Sequence, residues 1–137
     1  MPCGYSYGPY CYLWSGSDGA ADYSTAAATC EGYDATLVSI SSELENYYIY
    51  ECIVSANGET SSPIWIGYSD SEVEGTYVWE DGSSSTYTNW NTGEPNDAGS
   101  IEDCVAMYTE DSGSGGYWND EYCSSSYNFV CKWTPSC

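Results

Sequence analysis

The stretch that decides the fold is EPNDAGSIEDC, residues 94–104, which Trp118-Asn119-Asp120 complements further along the chain. The ten residues from Glu94 to Asp103 carry four carboxylates and one side-chain amide, and a proline and a glycine interrupt them. Such a loop can turn its side chains toward one point, whereas a regular helix or strand would spread them over its faces. Ligands that offer only oxygen suit a hard cation, Ca²⁺ above all. The alternative is a plain acidic surface loop, and the second motif, placed between two cysteines, favours the calcium site.

The composition predicts one packed domain, residues 1–137, with a large excess of acid. There are 21 Asp and Glu against one Lys or Arg and no His, for a formal net charge of −20. This charge repels nucleic acid and anionic membrane and attracts cations. With 16 Tyr and 6 Trp the chain has the large side chains that a core needs. We therefore expect no nucleic-acid partner and no membrane insertion, and we expect bound metal to neutralise part of the acid.

Eight cysteines in so short a chain indicate a disulfide framework. The sequence has no His and no zinc-type cysteine spacing, so a zinc site is not expected. We expect a secreted, extracellular protein. No apolar stretch is long enough to span a membrane. The opening Met1-Pro2-Cys3 shows no signal peptide and indicates a mature or re-engineered start.

Local patterns predict an α+β arrangement of short elements. Asp22 is an N-cap for a helix that ends at Gly32, and Ser41 or Ser42 caps a second helix that ends at Asn57-Gly58. An N-terminal hairpin and strand occupy 3–14, an extended link 35–40, and further strands 63–67, 77–79, 105–108 and 127–133. The long loop between them covers 80–103, and a loop of that length in a compact domain is expected to be functional.

Taken in order, these features resemble a C-type lectin-like domain over nearly the whole chain. The resemblance rests on Cys30 in the first helix, the run 35–40, Trp65-Ile66-Gly67-Tyr68, Trp79-Glu80-Asp81-Gly82, Asn89-Trp90, Glu94-Pro95-Asn96, Trp118-Asn119-Asp120 and the cysteines 104, 123 and 131. It implies two helices with antiparallel sheets, a long calcium-binding loop and disulfide staples. The hairpin between the first two cysteines resembles the long form of the family.

The resemblance also implies a disulfide pattern. It pairs Cys30 with Cys131, Cys104 with Cys123, and Cys3 with Cys11. Cys52 and Cys137 remain. They either pair with each other or link two chains, and eight cysteines allow too many connectivities for the sequence to decide.

Two calcium sites transfer from the family, with one to three ions per chain. The sugar-binding site would use Glu94, Asn96, Glu102, Asn119 and Asp120, and the second site Asp70, Glu74, Asp97, Glu102 and Asp103. Of these, Glu94, Asn96, Glu102 and Asn119 would also contact the sugar. The Glu94–Pro95 bond would be cis. Trp118 is expected in the core rather than against the sugar.

The resemblance implies calcium-dependent binding of a glycan through two vicinal hydroxyls. The Glu-Pro-Asn order indicates a mannose-type ligand: mannose, fucose or N-acetylglucosamine. A galactose preference is the alternative if an aromatic wall forms from Trp79, Tyr77, Tyr87 or Tyr117. The fold also serves ice-binding antifreeze proteins and biomineral-associated proteins, which stay open as non-sugar alternatives.

No enzyme is expected, because the chain has no His, no candidate catalytic thiol and only Lys132 as a basic group. A shallow site that coordinates two hydroxyls binds weakly, on the order of millimolar. Useful avidity then needs several linked sites, so we expect a homo-oligomer.

Overall fold

The computed structural model describes residues 5–16, 19–95, 103–110 and 115–135. Within them lie eight strands: β1 Tyr5–Tyr7, β2 Tyr10–Trp14, β3 Thr36–Leu37, β4 Ile64–Val73, β5 Thr76–Trp79, β6 Cys104–Met107, β7 Trp118–Glu121 and β8 Asn128–Trp133. The helices are α1 Tyr23–Glu31 and α2 Glu43–Tyr47, and α2 continues as a π-helix, Tyr48–Val54, and a 3-10 turn, Ser55–Asn57. The predicted positions Cys3, Asn96, Asp97, Glu102 and Cys137 lie outside the described residues.

The strands form one mixed sheet, whereas the sequence predicted antiparallel sheets. Their order is β1-β2-β8-β4-β6-β7, with β3 also on β8 and β5 also on β4. The correction concerns β4 and β8, which run parallel, with Ile64 opposite Asn128 and Trp65 opposite Phe129. Parallel neighbours need a long connection, and the many residues between these two strands provide it. The other strand pairs in the described residues are antiparallel.

Both helices begin at the predicted caps. The Asp22 side chain accepts a hydrogen bond from the Thr25 backbone N–H at 2.9 Å. Ser42, rather than Ser41, caps α2 by accepting from the Glu45 N–H at 3.1 Å. Gly32 ends the first helix, and Gly58 ends the second in the left-handed region at φ 84°. Local capping chemistry therefore sets these boundaries.

The core forms where the helices cover the sheet, in two adjoining clusters. One gathers side chains of the strands and of the π-helical segment after α2 around Trp118, and the other joins α1 to the sheet around Trp65. Both indoles are fully buried, which confirms Trp118 as a core residue. Gly67 lies where β4 passes closest to the β3 segment, because a Cβ there would come within 2.4 Å of the Leu37 carbonyl oxygen.

Two of the predicted disulfides are confirmed: Cys30–Cys131 and Cys104–Cys123. The first ties α1 to β8, and the second ties the start of β6 to the turn after β7. Cys11 is also disulfide-bonded, while its predicted partner lies outside the described residues.

The predicted pairing of Cys52 with Cys137 inside one chain is not formed. Cys52 carries a free thiol and is exposed. It lies in the π-helical segment on a face that points away from the core, where Ile49, Ile53 and Val54 are buried.

No helix in the described parts of the chain is both long and apolar enough to cross a membrane.

Candidate calcium and carbohydrate site

Three predicted ligands of the second calcium site come together at the end of the β4–β5 hairpin. Oxygen atoms of Asp70, Glu74 and Asp103 all lie within 4.8 Å of one another. Asp70 is in β4, Glu74 is in the turn that follows, and the Asp70 N–H donates to the Asp103 carbonyl at 3.0 Å. That bond extends the β4–β6 pairing beyond Ser69 and Cys104. The hairpin turn and the ladder thus position carboxylates from two separate stretches of the sequence.

Asp70 is the buried member of this carboxylate cluster, with 2 % of its surface exposed. Its Oδ2 accepts from the Gly75 N–H at 2.8 Å, where φ is 83° and glycine is favoured. Its Oδ1 is buried and has no hydrogen-bond partner among the described residues. A carboxylate oxygen buried in this way is costly unless a cation or donor satisfies it. The donor set and this oxygen fit a hard divalent ion.

Strand β7 carries the second group of predicted ligands. Its Trp118, Asn119 and Asp120 are all buried, Trp118 and Asp120 completely. They pair with Met107, Ala106 and Val105 of β6. Because alternate residues of a strand face opposite ways, Asn119 and Asp120 project from different faces of β7. The ladder alone therefore does not direct both side chains to one point.

Asn119 shows the same kind of signal as Asp70. Its side-chain nitrogen donates to the Glu121 carboxylate, while its Oδ1 is buried and accepts no hydrogen bond from the part of the chain that the structure describes. An amide oxygen held in this state is a suitable calcium ligand. The residues present therefore fit the predicted ion, although Asn96 and Glu102 of that site lie outside the described residues.

The long loop is fixed against β7 before it reaches Glu94. Trp90 forms an isolated parallel β-bridge with Trp118. In it, the Trp118 N–H donates to the Asn89 carbonyl at 2.8 Å, and the Asn91 N–H donates to the Trp118 carbonyl at 2.9 Å. A turn follows in which the Glu94 N–H donates to the Asn91 carbonyl at 2.9 Å. The Glu94–Pro95 bond is cis, as predicted. Glu94 thus lies four residues after Trp90, which pairs with the ligand-bearing strand β7.

Asn46 is a positioning residue that the sequence analysis missed. Its Oδ1 accepts from the Trp118 indole N–H at 2.8 Å, and its Nδ2 donates to the Gly116 carbonyl at 2.9 Å. It thereby fixes the start of β7, directly before the predicted ligands. Helical spacing could have indicated it, because Asn46 shares a helix face with the buried Ile49 and Tyr50.

The aromatic side chains near the site differ in their access to solvent. Trp79 is only 4 % exposed and stacks on Tyr68, with ring centroids 4.1 Å apart. It cannot offer a ring face to a sugar, which removes it from the predicted wall. Tyr77 and Tyr87 are half-buried, and Tyr117 is 40 % exposed.

The fold and this acidic, loop-built site define a disulfide-tied binding domain of the lectin type. The chain belongs to the Lectin C-type domain family, whose profile matches residues 20–133. It is 39 % identical over 128 residues to the low affinity immunoglobulin epsilon Fc receptor of Mus musculus, covering 93 % of this chain and 35 % of the receptor. It is 35 % identical over 130 residues to the alpha-N-acetylgalactosamine-specific lectin of Patiria pectinifera, covering 92 % of this chain and 75 % of that lectin. Thus it spans about a third of the first and three quarters of the second.

Solved structures show the same fold. The cow carbohydrate-recognition domain of CD23, crystallised in the presence of a GlcNAc2Man3 oligosaccharide, matches with a TM-score of 0.80 at 34 % identity, over 96 % of this chain and 92 % of that one. A calcium-independent type II antifreeze protein matches with a TM-score of 0.82 at 27 % identity, over 98 % and 94 %. The named relatives are lectins and receptors, so the domain belongs with binding proteins and not with enzymes.

Proposed function

We propose that this domain binds glycans through calcium, with a mannose-type sugar as its ligand. The observation that carries the proposal is the meeting of Asp70, Glu74 and Asp103, where a buried Asp70 oxygen has no hydrogen-bond partner within the described ranges. Membership of a lectin family and the cow CD23 structure, crystallised with an oligosaccharide, support it. Calcium is favoured because all the donors are oxygen atoms.

The two proposed ion sites share the long loop. The sugar site consists of Glu94, Asn96, Glu102, Asn119 and Asp120, and the second site adds Asp70, Glu74, Asp97 and Asp103, with Glu102 common to both. The buried Asn119 oxygen supports the first site, and the carboxylate cluster supports the second. A bound Ca²⁺ would accept lone pairs from two vicinal sugar hydroxyls.

The chain's own side chains would complete the hydrogen bonds of those hydroxyls. Glu94 and Glu102 would accept the hydroxyl protons, and the amides of Asn96 and Asn119 would donate to the hydroxyl oxygens. In the structure the Asn119 amide donates to Glu121. This contact keeps the amide oriented before a sugar binds. A bound sugar hydroxyl would then replace Glu121 as the acceptor. Pre-oriented groups reduce the entropy that binding costs.

Competition by free monosaccharides tests the proposed specificity. The protein is bound to immobilised mannan in calcium and eluted with mannose or with galactose. Mannose should elute it at a lower concentration, because Glu94 and Asn96 stand in the Glu-Pro-Asn order. Preferential elution by galactose would refute the mannose assignment.

A galactose-type ligand is the second candidate. Tyr117 favours it, because this exposed residue lies directly before the strand β7, two residues before the proposed ligand Asn119. The name of the Patiria pectinifera relative, specific for alpha-N-acetylgalactosamine, points the same way. A Tyr117→Ala variant separates the two, since it should weaken galactose binding only if the ring stacks on the sugar.

Use of the fold on ice or mineral is the remaining alternative. The antifreeze structure and human lithostathine, at a TM-score of 0.85, share the fold. Thermal hysteresis or altered growth of carbonate crystals, without any glycan binding, would favour that use.

We also propose an extracellular homo-oligomer. The two confirmed disulfides indicate an oxidising compartment. The exposed Cys52 thiol could link two chains. Non-reducing electrophoresis of the wild type beside Cys52→Ser tests the link, and a monomer in both would count against it.

A further inference from the structure

A small cleft lies between α2, the loop that leads into β7 and the long loop. Four tyrosines line it, Tyr47, Tyr50, Tyr87 and Tyr117, together with Glu43, and we call it the tyrosine cleft. Its volume is about 270 Å³. That is slightly below the range of pockets that take drug-sized ligands, so it suits a small head group. Tyr47 and Tyr117 are 60 % and 40 % exposed, so both side chains are accessible to a ligand.

Hydrogen bonds and close packing fix the backbone that forms the floor of the tyrosine cleft. The side-chain nitrogens of Asn46 and Asn89 both donate to the Gly116 carbonyl, at 2.9 and 2.8 Å. Tyr50 covers Gly115 so closely that a Cβ there would lie 2.0 Å from the tyrosine hydroxyl. The amide groups are thus engaged within the floor. The exposed Tyr47 and Tyr117 and the Glu43 side chain line the outer part of the cleft, where a ligand can reach them.

The electrostatics of the cleft favour a cation. Burial first, and then the nearby Glu43 carboxylate and Tyr117, raise the pKa of Tyr87. The one basic side chain of the sequence, Lys132, is held elsewhere, with its ammonium group 2.7 Å from Glu45. No basic side chain therefore balances Glu43 here, and the net charge of −20 adds a long-range attraction for cations.

Aromatic faces around a carboxylate are the chemistry that recognises an organic cation. The quadrupole of an aromatic ring attracts ammonium groups. Proteins use this cation–π attraction to bind quaternary ammonium groups between aromatic rings. Hard ions such as Ca²⁺ need several oxygen ligands, and among the described residues one carboxylate, Glu43, lines this cleft. We propose that the tyrosine cleft binds the ammonium head of a small organic cation, an alkylammonium or quaternary ammonium group, independently of the calcium-dependent glycan site.

Titration with choline tests this site on the whole chain, with calcium in excess so that the acidic loop is saturated. The readout is the NMR shift of tyrosine ring protons, with sodium chloride matching the ionic strength. Saturable binding is expected, with Kd on the order of millimolar. The neutral isostere 3,3-dimethylbutan-1-ol should bind at least fivefold more weakly, because it lacks the charge. Equal binding of the neutral alcohol, or shifts that never saturate, would overturn the proposal.

Matched variants separate the cleft from general attraction to an acidic protein. Tyr47→Leu and Glu43→Gln should each weaken choline binding about fivefold. Tyr33→Leu and Glu31→Gln are the controls. They remove the same ring or charge, and both residues are exposed outside the cleft. If controls and cleft variants weaken binding equally, the proposal is wrong. An unchanged melting temperature shows that each variant is folded.

A second arm identifies the source of the ammonium group. Sedimentation with phosphatidylcholine vesicles detects a lipid head group, and choline should compete with the vesicles if the same cleft is used. Binding of choline with no vesicle binding indicates a soluble cation. Vesicle binding that choline does not displace would contradict the assignment to this cleft.

Discussion

The Lys132 ammonium nitrogen lies 2.7 Å from a Glu45 carboxylate oxygen, and both side chains are buried, at 5 % and 2 % exposure. Lys132 also donates to the Ser39 carbonyl and hydroxyl at 3.0 Å. Glu45 accepts further bonds from the Tyr12 hydroxyl and the Ser41 N–H. The only basic side chain of this acidic chain therefore neutralises a carboxylate in the core, and none of its charge is available to the surface.

Removing one partner of this pair should be strongly destabilising. Lys132→Met leaves the Glu45 charge buried without its counter-ion, and we expect a loss of about 3–5 kcal/mol in the free energy of unfolding. Urea denaturation measures it. The double variant Lys132→Met with Glu45→Leu removes both charges and should recover most of the loss. A double variant as unstable as the single one would show that packing, not charge, explains the effect.

The pair should also make stability depend on pH. Burial raises the pKa of Glu45, but the bonds from Lys132 and Tyr12 outweigh it and hold that pKa below its ordinary value of 4.5. A carboxyl group of lowered pKa contributes stability that is full above its unfolded pKa and is lost as pH falls through the folded value. In EDTA, the wild type should therefore lose more stability below pH 4.5 than the double variant does. Parallel acid-denaturation curves would contradict this.

Calcium should raise the melting temperature through the carboxylate cluster. Repulsion among Asp70, Glu74 and Asp103 is relieved when an ion binds, and a ligand that binds only the folded state stabilises it. Glu74→Gln should reduce the calcium-induced shift by at least half. Glu72→Gln is the control, because Glu72 is an exposed carboxylate two residues earlier and outside the cluster. Equal shifts in both variants would remove Glu74 from the proposed ligands.

Loss of the Asn46 side chain should disturb both the core and the site. Asn46→Ala leaves the buried Trp118 indole N–H without its acceptor, at a cost of about 1–3 kcal/mol. Because Trp118 precedes Asn119, calcium affinity should fall as well. Calorimetric titration with calcium, at a temperature where the variant is folded, measures the second effect. Unchanged affinity would mean that Asn46 serves stability alone.

Local chemistry explains what the sequence could predict. Asp22 and Ser42 cap helices by bonds to residues three positions later, so their effect is visible in a short window of sequence. The cis Glu94–Pro95 bond and the Cys30–Cys131 and Cys104–Cys123 pairs followed from the family resemblance and are confirmed. The convergence of Asp70 and Glu74 with Asp103 was also anticipated.

Contacts between distant residues explain what the sequence did not predict. The parallel pairing of β4 with β8 depends on how the chain crosses the sheet, which no local pattern records. The Glu45–Lys132 pair joins residues 87 positions apart. Nothing near either residue distinguishes a buried charge from an exposed one. The free thiol of Cys52 was not predictable from the sequence either, because an even number of cysteines is compatible with complete pairing. It is explained by the exposed position of Cys52 on its helix.

Thermal unfolding with calcium and mannose together tests the central claim most directly. Mannose should raise the melting temperature of the wild type when calcium is present and should have no effect in EDTA, because the sugar is bound through the ion. The shift should disappear in Asn119→Asp, which replaces the donor amide, and persist in Asn91→Asp. A mannose shift of equal size in EDTA, or in Asn119→Asp, would contradict calcium-dependent sugar binding at this site.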